Sequence, residues 1–209
     1  MGSGSWDSSA WTDYSKSVHS SGVDKIYISR GLDAYLDPKN AKIRESRDSA
    51  DNPNSTAIIV DFDVTGSMGM LAEHIAKEDL GKLFQEILDR KPVTNPHLMF
   101  MANGDVYCDE APLQVSQFEA DNRIIEQMSK IWVEGGGGGN ESESYDFPWY
   151  FASRHTAIDC FEKRGKKGYL FGWSKEGWGF DFWTNKDRWG KTNYWIKIGK
   201  LVFARLRYF

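Results

Sequence analysis

One short segment carries oxygen-bearing side chains at alternate positions. Asp63, Thr65 and Ser67 follow a largely apolar run at 57–62, and Gly66 lies among them. A glycine permits a tight turn, so three oxygen groups can be aimed towards one point. With no His or Cys nearby, such a set suits Mg²⁺ or Mn²⁺ far better than Zn²⁺. The same residue types also cap helices, with a hydroxyl accepting from the first free amides. The segment alone therefore leaves metal binding and helix capping both open.

The strands and helices that alternate along the chain must position residues 63–67. Apolar runs predict buried strands, and three- or four-residue apolar spacing predicts helices. The predicted strands lie at 25–29, 57–63, 97–102 and 166–171, and the predicted helices at 71–90, 118–131 and 145–163. This order predicts an α/β fold with a doubly wound, mainly parallel sheet flanked by helices. In such a sheet ligands bind beyond the carboxyl ends of the strands, where the 63–67 segment is expected.

The segment DVTGSM after an apolar strand resembles the metal-ion-dependent adhesion site of von Willebrand factor A (vWA) domains, D-x-S/T-x-S. The longer segments NPNSTAIIVDFDVTGSMG, APLQVSQFEAD and EGGGGGNESESY resemble, in the same order, the bacterial and phage-associated members of that family. The resemblance covers about residues 25–171 and implies a Rossmann-like sheet whose loops hold a divalent ion. It also implies that Asp63 acts through water, while Thr65 and Ser67 touch the metal directly.

The family's second loop supplies a further oxygen ligand. Here the glycine-rich segment GGGGGNESES offers Asn140, with Glu143 and Ser142 as further candidates for the metal or its surrounding shell. Glycines allow the backbone to approach an ion closely. Five consecutive glycines alone also fit a flexible linker.

The family's third loop is where this sequence departs from the resemblance. A Gly-Asp pair is expected soon after GYLF, but the chain continues GWSKEGWGFD, so Glu176 and Asp181 are the first available carboxylates. Losing an outer carboxylate typically costs about 10–100-fold in metal affinity, so we expect an ion that is weakly held or absent. The family's last strands are also missing from the sequence, which predicts a sheet incomplete at its C-terminal edge.

Composition divides the chain into three parts. Residues 1–24 form a Ser/Gly-rich leader predicted to be flexible, 25–171 the vWA-like domain, and 172–209 a tail with five of the nine tryptophans. The tail has a net charge of +5, although the whole chain has −4. Basic and aromatic residues can bind single-stranded nucleic acid or a membrane surface. They can equally cover an open sheet edge, which would otherwise invite pairing with other chains.

Other functional classes have little support in the sequence. The negative net charge argues against general nucleic-acid binding, and the two cysteines form neither a disulfide framework nor a metal-ligand spacing. No hydrolase elbow surrounds Ser67, and no group is placed to orient His155 and Cys160 for catalysis. No apolar run predicts a membrane span or a secretion signal, so the expected location is the cytoplasm.

Two functions remain as expectations. The first is a non-enzymatic protein-interaction module that binds Mg²⁺ or Mn²⁺ through Asp63, Thr65, Ser67 and Asn140 and accepts an acidic group from a partner protein. The alternative is a metal-free domain whose tail binds nucleic acid or a membrane surface.

Overall fold

The computed structural model describes residues 27–65, 80–134, 144, 146–174, 195–198 and 201–207, together with residues 4, 6, 9, 12–14 and 16. The strands are β1 (Arg44–Ser46), β2 (Thr56–Asp63), β3 (Pro96–Asn103), β4 (Leu113–Val115), β5 (Thr156–Ile158), β6 (Gly168–Ser174), β7 (Trp195–Ile198) and β8 (Leu201–Arg207). The helices are α1 (Leu80–Arg90), α2 (Arg123–Ser129), α3 (Asp146–Arg154) and α4 (Asp159–Glu162).

Six of these strands form one sheet in the order β4-β3-β2-β6-β8-β7, and β1 pairs with β5 in a second, two-stranded sheet. Strands β2, β3, β6 and β8 are mutually parallel, while β4 and β7 run antiparallel to their neighbours. The predicted α/β fold with a mixed, mostly parallel sheet flanked by helices is therefore confirmed.

The central strands are those with the most continuous apolar sequence. In β2, every residue from Ala57 to Asp63 is buried, and β3 is buried throughout from His97 to Asn103. A strand covered on both faces needs apolar residues at successive positions, and this makes such strands easy to recognise. The strands predicted at 57–63, 97–102 and 166–171 are confirmed.

Helices pack on both faces of the sheet. Ile87 of α1 and Ile124 of α2 join one apolar cluster with the β2 residues Ile58 and Phe62. On the other face, Phe151 of α3 and similar side chains pack with a second cluster that includes Ile59. Successive strand residues point to opposite faces, so β2 contributes to both clusters.

One predicted element is wrong, and two predicted helices are only partly confirmed. Residues 27–29 of the predicted first strand form no strand, and Ile28 N donates instead to Ser129 O. The helix predicted over 118–131 begins only at Arg123, because Glu119 pairs antiparallel with Leu98 of β3. The helix predicted over 145–163 is interrupted by β5, where Thr156 and the next two residues pair with β1.

The basic tail contributes two strands to the sheet. Strand β8 pairs parallel with β6 over residues 201–207, and β7 pairs antiparallel with β8. The sheet therefore continues on the side where the sequence predicted an incomplete edge. The interpretation that the tail covers this edge is confirmed for these two strands.

Part of the leader contacts the domain. Trp6 Nε1 donates to Pro96 O at 3.0 Å, and Gly4 O accepts from Asn52 Nδ2 at 2.9 Å. Trp6 and Tyr14 also pack against the cluster that contains Phe62. These contacts fasten the leader near the start of β3.

Candidate metal centre

The candidate centre begins at the carboxyl end of β2. Thr65 N and Thr65 Oγ1 both donate to Asp63 Oδ1, at 2.8 and 2.7 Å. Both residues are buried, with 1% of Asp63 and 5% of Thr65 exposed. These bonds bend the chain at the end of the strand and bring the predicted carboxylate and the first predicted hydroxyl together.

The other predicted ligands lie outside the described residues: Ser67, Asn140, Ser142, Glu143, Glu176 and Asp181. Their roles remain predictions. Asp105 is a turn carboxylate, because its Oδ1 accepts from Tyr107 N at 2.9 Å.

Both ends of the glycine-rich segment are attached near this edge of the sheet. Before the segment, Gln114 of β4 binds the backbone of Trp132 twice: Nε2 donates to Trp132 O, and Trp132 N donates to Oε1, both at 2.8 Å. After the segment, Ser144 Oγ accepts from Val106 N at 3.1 Å. Val106 is the third residue beyond Asn103, the β3 partner of Asp63. Residues on either side of the glycine-rich run are therefore bound to β4 and to the β3–β4 connection, which starts beside the end of β2.

Gln114 offers a test of this anchorage. Replacing Gln114 with alanine should lower the free energy of unfolding by about 1–3 kcal/mol, because Trp132 N and O lose their partner beside a side chain that is only 1% exposed. Urea denaturation measures the change. Glu110→Ala, at an exposed position on the connection just before β4, is the control and should change stability by less than about 0.5 kcal/mol. Equal losses in the two variants would contradict the role of Gln114.

Two further polar side chains adjoin the centre, and the sequence reasoning gave them no role. Asn103 is 0% exposed and lies opposite Asp63 on β3, while Asp61 is 1% exposed on β2. Among the residues that the structure describes, neither amide atom of Asn103 has a hydrogen-bond partner, and neither does Asp61 Oδ1. The sequence signal for Asp61 and Asn103 was a polar residue inside an otherwise apolar strand.

Ionisation of the buried Asp61 carboxyl is unfavourable. Burial raises its pKa well above the usual value, and the neighbouring carboxylate of Asp63 raises it further. A cation close to the pair would offset this repulsion and favour the ionised form.

The donor chemistry of the described residues fits a hard cation. Asp63, Thr65, Asp61 and Asn103 provide carboxylate, hydroxyl and amide oxygens, which Mg²⁺ and Mn²⁺ prefer. Within the described ranges, no group of three or more His, Cys, Asp and Glu side chains is arranged to hold a metal. A centre here consequently depends on hydroxyl and amide ligands together with the predicted loops.

The order of strands places the centre at a switch in direction. From β2 the chain passes to β3 on one side, and later to β6 on the other side of β2. Ligands of open α/β sheets bind at such a switch, beyond the carboxyl ends of the strands. Both β2 and β6 point these ends the same way, with Phe62 opposite Trp173.

Comparisons with known proteins give no identification. No family model matches the chain, and neither the curated proteins nor the solved structures contain a significant match. The vWA resemblance rests on the sequence segments alone and remains a prediction.

The side chains considered for catalysis have other contacts. His155 lies near Lys42 O, with Nδ1 at 3.1 Å, and stacks on Phe151 at 5.2 Å between ring centroids. Cys160 is 1% exposed, and burial raises the pKa of its thiol. In the part of the chain that the structure describes, no helix is both long and apolar enough to cross a membrane.

Proposed function

We propose that the chain is a non-enzymatic protein-interaction module of the vWA type. In this proposal Asp63, Thr65, Ser67 and Asn140 hold Mg²⁺ or Mn²⁺, and a carboxylate from a partner protein completes the metal shell. The observation that supports the proposal is that residues on either side of the glycine-rich run, Glu134 and Ser144, bind the connection that follows β3. This connection starts at the edge of the sheet where Asp63 ends β2 and bonds to Thr65.

Exposed apolar residues beside this edge support a role in binding a partner. Tyr107 is 86% exposed and Val106 is 41% exposed, and both belong to the β3–β4 connection. Tyrosine is enriched in protein interfaces because its ring buries much apolar area at low conformational cost. An acidic partner residue at the metal, flanked by an apolar residue against Tyr107, would use both features.

The position where β6 ends is relevant to the third loop, because the aspartate that the vWA resemblance implies there is missing. The strand continues to Ser174, beyond the predicted end at residue 171, so Glu176 is only the second residue after the strand. Glu176 is therefore the nearest acidic candidate along the chain for this position, with Asp181 further away.

The proposal predicts metal binding that depends on Asp63. Titration calorimetry of the full chain with Mg²⁺ and with Mn²⁺ should show binding, and Asp63→Ala should weaken it by about 10–100-fold. Asp51→Ala removes an exposed carboxylate near the other end of the sheet and serves as the matched control, with unchanged binding. Identical heats from the parent and Asp63→Ala would refute a site at this position.

The metal-free alternative, in which the tail binds nucleic acid or a membrane surface, remains a prediction without support from the described residues. Deleting residues 172–209 would also remove β7 and β8 from the sheet. The salt dependence of single-strand binding by the full chain is therefore the better test, since contacts to phosphates weaken steeply with salt.

A further inference from the structure

Asn103 is a buried polar side chain whose hydrogen-bonding capacity is unused. It is 0% exposed, and neither Nδ2 nor Oδ1 has a hydrogen-bond partner in the described part of the chain. Nearly all buried polar atoms in folded proteins are paired, and each exception calls for an explanation. An unpaired buried group costs about 1–3 kcal/mol, so this asparagine opposes folding of the metal-free chain.

The position of Asn103 suggests a role for its side-chain amide. Asn103 on β3 lies opposite Asp63 on β2, and paired residues of parallel strands project to the same face. Asp61 precedes Asp63 by two residues and projects to that face as well. Three buried polar groups therefore adjoin one another at the carboxyl edge, and the next residues of the same face are apolar, Ile59 and Met99 among them, as far as His97 near the start of β3.

These groups suit water molecules held by a cation. A metal-bound water donates its hydrogens readily, and both Asp61 Oδ1 and Asn103 Oδ1 are acceptors for which the described residues supply no donor. Hard ions such as Mg²⁺ keep several waters when they bind proteins. Outer groups that accept from such waters commonly contribute to metal affinity.

We propose that Asn103 and Asp61 form the inner wall of the metal centre, where they accept hydrogen bonds from waters of the ion that Asp63 and Thr65 bind. This inference rests on the proposed function. Asn103 is then a positioning residue that acts through water. Together with Asp61 it supplies outer contacts from the β2–β3 side, in a chain without the Gly-Asp pair that the vWA resemblance implies after GYLF.

The test compares metal affinity with the stability of the metal-free chain. Electron paramagnetic resonance of free Mn²⁺ gives the affinity, and thermal unfolding in EDTA gives the stability. Asn103→Leu, of similar size and without polar atoms, should weaken Mn²⁺ binding about tenfold or more. It should leave the metal-free melting temperature unchanged or raise it. Asn103→Asp keeps an acceptor oxygen and should bind Mn²⁺ within a few-fold of the parent.

The outcomes separate this inference from the proposed function. Parent-like Mn²⁺ binding by Asn103→Leu, with binding lost in Asp63→Ala, would overturn the role of Asn103 and leave the proposed function in place. A lower metal-free melting temperature in Asn103→Leu would assign the amide a structural role and also overturn the inference. No Mn²⁺ binding by the parent would overturn both. Weak Mn²⁺ binding by Asn103→Leu with undiminished metal-free stability supports the inference.

Discussion

Replacing Phe62 with alanine should lower the free energy of unfolding by about 3–5 kcal/mol, as full truncation of a buried aromatic ring does. Phe62 is 0% exposed and lies in the middle strand between β3 and β6. Its ring meets that of Phe100 edge to face, with 6.2 Å between centroids. The lost contacts include this aromatic pair as well as the apolar area of the ring. Urea denaturation followed by circular dichroism measures the change.

Phe161→Ala provides the matched control for this substitution. Phe161 lies on α4 and is 37% exposed, so its removal takes less apolar area out of the folded core. We expect a loss less than half of that for Phe62. Equal losses, or a loss below about 1.5 kcal/mol for Phe62→Ala, would show that the cluster around Phe62 does not form the main core.

Replacing Asp48 with alanine should destabilise the chain by about 3 kcal/mol, because a largely enclosed ion pair would lose one partner. Arg164 donates to Asp48 through two nitrogens, at 2.6 and 3.1 Å, and Ser55 donates to it through N and Oγ. Arg164 also donates to Ser55 O at 2.7 Å. The carboxylate therefore joins the segment before β2 to the segment before β6. Asp51→Ala, an exposed carboxylate on the same approach to β2, is the control and should cost less than about 0.5 kcal/mol.

The same cluster predicts how stability depends on pH. The guanidinium of Arg164 lowers the pKa of Asp48, mainly through the paired hydrogen bonds. Burial opposes ionisation of Asp159, but hydrogen bonds from Lys163, Asp48 N and Arg47 outweigh it and lower its pKa. A carboxylate with a lowered folded pKa stabilises the fold above its unfolded pKa, near 4, and this contribution is lost as the pH falls below that value. The parent should lose stability below about pH 4, and Asp48→Asn should show a flatter curve; parallel curves would contradict the assignment.

The sequence predicted the central part of the fold because long apolar runs leave few alternatives. Strands β2 and β3 are buried on both faces, so their sequences are apolar almost throughout. Strand β5 was missed because it is three residues long and follows directly on α3, with no turn residue to mark the boundary. Its strand conformation comes from pairing with β1, more than a hundred residues earlier in the chain, and local spacing does not record such a partner.

The candidate centre likewise contains residues that local sequence could predict and a residue that it could not. Asp63 and Thr65 could be predicted because their spacing and the adjacent glycine are local features of the sequence. Asn103 could not, because its relation to Asp63 arises from the register between two strands. Its unsatisfied amide is a property of the packed structure, and a single polar residue at the end of an apolar run has many ordinary explanations.

The position of β8 between β6 and β7 affects the order in which the chain can fold during synthesis. The ribosome releases β2, β3 and β6 first, and these can associate while β8 is still inside the exit tunnel. Until then the outer side of β6 has unpaired amide and carbonyl groups that a second nascent chain could bind. Slow pairing of β8 after the chain has left the ribosome would prolong this exposure, so the newly made protein should depend most on chaperones before β8 pairs with β6.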